Sequence, residues 1–134
     1  MNHRAHLDFL LHDWLQVASL SARERFAEHS RETFDAVLDL CERLAAEKFA
    51  PFNRQADTEE PWFDGERVHL PAASVEAARA YAAAGLLAAA QDGSMGGMQL
   101  PCVVELAGKS FFSKASIGLS SNSMLTTANA NLLM

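Results

Sequence analysis

The chain has 134 residues, 49% of them hydrophobic, and its 11 basic and 17 acidic side chains give a formal net charge of −6. That length, with a mean hydropathy of −0.03, supplies an ordinary core for one domain over residues 1–134 and excludes a disordered chain. The acidic balance excludes a phosphate-binding footprint, which needs clustered Lys and Arg, and no apolar window approaches a membrane span, so neither a nucleic-acid partner nor a membrane span is expected. The first residues carry no apolar leader, and Cys41 and Cys102 each sit among apolar neighbours, as buried thiols do in a reducing compartment; the expected location is cytoplasmic.

In chain order, Leu7, Leu10, Leu11, Trp14 and Leu15 fall at helical spacing with Asp8, His12 and Asp13 opposite. They predict a leading amphipathic helix within residues 1–20 that buries a Leu/Trp stripe, ahead of a main helical domain over 21–134. Ser21-Ala22-Arg23-Glu24 has the capping-box pattern and predicts a second helix start. From Ser30 onward, Phe34, Val37, Leu38, Cys41, Leu44, Ala45 and Phe49 keep a 3.6-residue period, ended by Pro51, with a further turn expected over 53–57.

Trp62 to Leu70 changes character: Asp64-Gly65 between β-favouring residues predicts a small hairpin-like excursion with a two-residue turn. Ser74 is the expected cap of an Ala-rich helix through Val75, Ala78 and Tyr81, closed by a left-handed Gly85. Gly93-Ser94-Met95-Gly96-Gly97 lacks the preceding strand and the lysine of a phosphate loop, and suits a close backbone approach. Pro101 opens a helix in which Cys102, Val103, Val104, Leu106, Ala107, Phe111 and Phe112 are apolar around most of the circumference, so it is expected at the centre. Gly118 reads as a break, and Ser120 to Ser123 as the approach to a last helix. The fold class is all-α, an irregular or orthogonal bundle of about five to six helices.

Beyond Arg79 the only charged residues are Asp92, Glu105, Lys109 and Lys114. Such a segment is either wrapped by the charged helices before it or built to pack on something else. Leu125 to Met134 keeps helical spacing and stops without Gly or Pro, which reads as an interrupted helix.

Residue chemistry points to no active centre in this segment. His3, His6 and His12 have ligand-like spacing, but a terminal segment does not fix ligand geometry, and no metal site is expected. The pairs Asp35 with Asp39 and Glu59 with Glu60 read as solvated charges rather than acid/base partners. No serine lies in a nucleophile elbow, and neither cysteine has an activating neighbour.

Several stretches in order carry a resemblance. Arg25-Phe26-Ala27 leads into the long helix ending Leu44-Ala45-Ala46-Glu47-Lys48-Phe49-Ala50-Pro51; Asp57 and Phe63-Asp64-Gly65-Glu66-Arg67-Val68-His69-Leu70-Pro71 follow. Then come Tyr81-Ala82-Ala83-Ala84-Gly85-Leu86 and Gly96-Gly97-Met98-Gln99-Leu100-Pro101. The series resembles the N-terminal helical domain of acyl-CoA dehydrogenases, in particular longer bacterial ones with an extra leading helix, and covers nearly the whole chain. It departs from many members at Ser110-Phe111-Phe112-Ser113, where they place an acidic pair, so it implies no particular acyl-chain preference.

The resemblance implies an enzyme with a middle β domain and a C-terminal helical bundle, neither present in this chain. FAD and an acyl-CoA substrate would lie between the parts, an electron acceptor would reoxidise the flavin, and the catalytic base would belong to the bundle. This segment would contribute one wall of the acyl pocket, with Phe111, Phe112, Ala115, Leu119 and Met124 as candidates, and would hold no catalytic residue, no assignable flavin contact and no activity alone. A second reading is a stand-alone helical interaction or oligomerisation module. Both lead to the expectation of self-association through an apolar C-terminal surface.

Overall fold

A computed structural model of the protein describes residues 2–133. Among them are six α-helices and one antiparallel pair of two-residue strands, so the protein is an all-α bundle with a small hairpin. No helix of the described residues is long and apolar enough to cross a membrane.

The leading element differs from its expectation. Helix α1 spans His3–Asp8 and continues as a π-helix over Phe9–Trp14, where bonds such as Leu15 N–H to Leu10 O at 2.9 Å add a residue to the turn. Leu7 and Leu11 enter the core, but the wider turn swings Trp14 off their stripe and leaves it 70% exposed. Gln16, in the left-handed region at φ 50°, then redirects the chain, so Val17 is buried in place of Leu15. Ser21 starts no helix, because its hydroxyl donates to Ala18 O and the chain continues as 3₁₀ turns over Val17–Ala22 and Glu24–Phe26.

The capping box sits nine residues later. Ser30 Oγ accepts from Thr33 N–H at 3.3 Å and Thr33 Oγ1 accepts from Ser30 N–H at 2.8 Å, satisfying two orphan donors at the start of α2, Arg31–Lys48. Phe34, Leu38, Cys41 and Ala45 are buried, and the helix ends ahead of Pro51 as its periodicity requires. The further turn is α3, Asn53–Thr58.

Strands β1 (Trp62–Phe63) and β2 (Val68–His69) pair with Phe63 opposite Val68. The turn is one residue later than expected. Asp64 N–H donates to Arg67 O, and the Asp64 carboxylate accepts from Glu66 and Arg67 N–H at 2.8 Å, so Gly65 and Glu66 are the central residues. Gly65 at φ 105° takes the position that demands glycine.

Helix α4, Ala72–Ala83, begins after Pro71, so Ser74 lies in its first turn rather than at its cap. The buried face is Ala73, Ala77 and Tyr81, one step removed from Val75 and Ala78. Gly85 at φ 75° closes it in the left-handed region. Gly97 permits the expected close approach, since a Cβ there would lie 2.0 Å from Gln91 O.

Helix α5, Cys102–Ala115, packs along α2 as the central pair. Val104, Ala107, Gly108, Phe111 and Phe112 are buried, whereas Leu106 and Cys102 are exposed. Cys102 is thus no buried thiol: it stands exposed in the first turn. Cys41 is buried, and desolvation pushes its thiol up to about 12, which keeps it protonated and unreactive. The break before the last helix is Ser116 rather than Gly118. Its hydroxyl accepts from Leu119 N–H at 3.4 Å and caps α6, Ile117–Leu132, so Gly118 and Ser120 to Ser123 all lie within the helix.

Candidate functional site

Helix α6 is amphipathic in the reverse sense. Its residues buried against α3, α4 and α5 are Leu119, Ser120 and Thr127, while Ile117, Met124, Leu125 and Leu132 face outward at 64%, 38%, 66% and 82% exposure. The buried hydroxyls need no partner elsewhere: Ser120 Oγ donates to Ile117 O at 3.2 Å, Ser123 Oγ to Ser120 O at 2.9 Å and Thr127 Oγ1 to Ser123 O at 2.7 Å. Bonding back to the helix's own carbonyls lets small hydroxyl side chains pack closely without leaving a buried donor unpaired. No charged residue lies on this helix. Its outer face is therefore an uncharged helical surface on which Ile117, Met124, Leu125 and Leu132 stand exposed among Asn122, Thr126 and Asn129.

The five residues expected to line a pocket divide into two groups. Phe111, Phe112 and Leu119 are buried in the core. The Phe112 ring meets Phe49 edge-on at 4.9 Å and Tyr81 at 5.0 Å, and Phe111 meets the His3 ring at 5.1 Å. Ala115 is half-buried, and Met124 is at the surface, with Ser113 Oγ 3.7 Å from its sulfur. Phe111 and Ala115 share a cleft of about 270 Å³, bordered also by Glu42, Ala45, Ala46, Ala50 and Lys114.

Polar constellations that sequence reasoning did not assemble lie around the bundle. Arg4, 15% exposed at its side chain, donates to Asp8 at 2.8 Å and to Asp39, and approaches Asp35 and Glu42, so one guanidinium pins α1 to the charged face of α2. Burial opposes the charge on Arg4, but the hydrogen bonds to Asp8 and Asp39 outweigh it and raise its pKa. His12 Nε2 lies 2.8 Å from Asp35, and Asp8, His12 and Asp35 bring ligand atoms within 4.8 Å of one another. A cation there would have to displace Arg4, whose guanidinium already neutralises Asp8 and Asp35. His3 is engaged elsewhere, 2.9 Å from Ser110 Oγ, so the three N-terminal histidines form no single ligand set.

Within α5, Lys109 Nζ approaches the buried Glu105 carboxylate to 2.9 Å, as an ion pair out of line for a hydrogen bond. Their i,i+4 spacing was the available signal. Tyr81 has its pKa raised by burial, reinforced by Cys41 and Glu105. At the glycine-rich turn, Arg25 pairs with Asp92, and the Gln99 side chain accepts from Gly93 N–H at 3.1 Å and donates to Arg25 O at 2.9 Å. Gln99 is held at φ 52° by these two bonds. They lie beside a cleft of about 480 Å³ between this turn and the start of α2. No family model, curated protein or solved structure matches the chain.

Proposed function

We propose that the chain is the N-terminal helical segment of an acyl-CoA dehydrogenase-like flavoprotein and supplies one wall of its acyl pocket. The observation that carries this reading is the reversed amphipathicity of α6, whose apolar side is turned away from the bundle and toward whatever covers it. The ordered resemblance supports it, because the helix ended by Pro51, the hairpin at Asp64-Gly65, the left-handed Gly85 and the turn at Gly97 each have a structural reason. Of the five wall candidates, Ala115 and Met124 have the exposure to meet a ligand and Phe111 borders the cleft beside Ala115, while Phe112 and Leu119 would shape the wall from behind.

Among the described residues, the polar groups at the glycine-rich turn and the N-terminal cluster are already engaged. Arg25 is tied to Asp92, Gln99 spans the glycine-rich turn, and the Asp8–Asp35 cluster is acidic. Holding the flavin, removing the α-proton and accepting the β-hydride fall to other parts of such an enzyme. The test is expression of the complete reading frame that contains these residues. The expected product is yellow and reduces a dye when given acyl-CoA, while the 134-residue chain alone is colourless and inert. A colourless full-length product, or stoichiometric flavin surviving gel filtration on the short chain, goes against the reading.

The same outward face is compatible with a stand-alone interaction module. That reading gains if the complete product ends with this domain and carries no flavin.

A further inference from the structure

We propose that the outward stripe of α6 pairs with the same stripe of a second copy of this chain, antiparallel and about a two-fold axis. The inference does not rest on the flavoprotein reading; it concerns the chain with this face uncovered.

Ile117, Ser121, Met124, Ala128 and Leu132 recur at spacings of four, three, four and four residues, which puts them on one side of the helix, with Leu125 beside them. Between Ile117 and Leu132 the stripe runs roughly 22 Å at 1.5 Å per residue. It is self-complementary under reversal. A two-fold axis at the midpoint of Met124 and Leu125 sets Ile117 against Leu132 of the second copy, Ser121 against Ala128, and Met124 against Leu125. Large side chains then meet at the centre and ends, with small ones between. Such a closed, isologous contact is the commonest form of homo-oligomer.

Charge does not oppose this contact. The chain carries a net charge of −6, so two copies repel over most of their surfaces, and α6 is a helix on which no residue is charged. A lipid surface is a poor occupant, because an interfacial helix needs Lys or Arg along its polar side and α6 has none. Two helices in contact over this length bury on the order of 1,000 Å² in total, the low end for stable complexes.

The experiment is sedimentation velocity of the 134-residue chain under reductant, so that the exposed Cys102 forms no disulfide, from about 1 to about 500 µM. The expected result is a reversible shift from 14.6 kDa to twice that mass. Leu125→Glu, and the milder Leu125→Gln, should weaken the dimer at least about tenfold while far-UV circular dichroism is retained, because both copies bring the change to the axis. Leu106→Glu, on the exposed side of α5, should leave it unchanged. A monomer throughout the range, assemblies without fixed stoichiometry, a dimer indifferent to Leu125→Gln, or equal loss in Leu106→Glu would overturn the proposal. None of these outcomes bears on whether the full-length product binds flavin, so the two readings fail independently.

Discussion

Helices α2 and α6 are the two longest in the protein, and they use the same periodicity in opposite ways. Helix α2 turns Phe34, Leu38, Cys41 and Ala45 inward and presents Asp35, Asp39 and Glu42 outward. Helix α6 turns Ser120 and Thr127 inward and presents Ile117, Leu125 and Leu132 outward. An α2-type face is complete within this chain. An α6-type face leaves its apolar side uncovered within this chain, because hydroxyls satisfied on their own backbone supply close packing but little apolar burial.

Substituting a large apolar residue on each helix makes the sharpest test of that contrast. Phe34→Ala removes a fully buried ring and is expected to cost about 3–5 kcal/mol of stability, a large share of what a domain this size has. Leu125→Ala, at 66% exposure, is expected to change stability by no more than about 0.5 kcal/mol at concentrations where the chain is monomeric. Urea unfolding of both variants checks the pair, and comparable losses would mean that α6 is packed by its apolar side after all.

The charged face of α2 is itself put to use, and Arg4→Met tests how strongly. Removing the guanidinium leaves Asp8, Asp35, Asp39 and Glu42 gathered without their shared cation. Arg4 is mostly buried and its partners are part-exposed, so the expected cost falls between surface and buried pairs, about 1–2 kcal/mol, smaller at high salt. Amide exchange should speed up over residues 3–14 while the centre of α2 stays protected. Uniform protection in the variant would show that Leu7 and Leu11 alone hold the leading segment.

Those two helices also show what the residues made legible. Five turns of unbroken apolar periodicity leave α2 little alternative, and Pro51 and Gly85 stop their helices by local stereochemistry alone. The leading segment departs from its expected stripe because that spacing assumes 3.6 residues per turn, and nothing in Phe9–Trp14 announces i→i+5 bonding. Ser21 and Ser30 both precede a partner three residues on, and the choice between them depends on what each hydroxyl meets in the folded chain. Alanines gave α4 no contrast from which to read its buried face. The stripe on α6 is visible in the sequence, but its direction is not: that is set by Ser120 and Thr127 fitting against α4 and α5. Of the pocket-wall candidates that the resemblance implies, Phe111 and Phe112 serve the core of the bundle, and position along the chain carries no sign that Met124 is the one on the surface. The Arg4 cluster joins residues 35 positions apart and left no local trace.

The smallest expected effect is a pH dependence where the charged leading segment meets the uncharged part. His3 sits on α5 with Ser110 and the edge of Phe111, and burial lowers its pKa from 6.5, with Lys114 and His6 adding to the depression and Glu42 opposing it. A depressed histidine means that the folded chain binds fewer protons than the unfolded one at pH values between the folded pKa and 6.5. The contribution is therefore intact above 6.5, is lost as pH falls from there through the folded value, and levels off below it. Asp64, lowered from 3.8 chiefly by His69, loses its own contribution only in a more acidic window. Amide exchange over residues 3–14, compared at about pH 7 and about pH 5.5 after correction for intrinsic rates, should show loosening on acidification that His3→Asn abolishes. An unchanged slope in that variant would move the effect to another group and leave the junction between α1 and α5 held by the Phe111 contact rather than by a neutral imidazole.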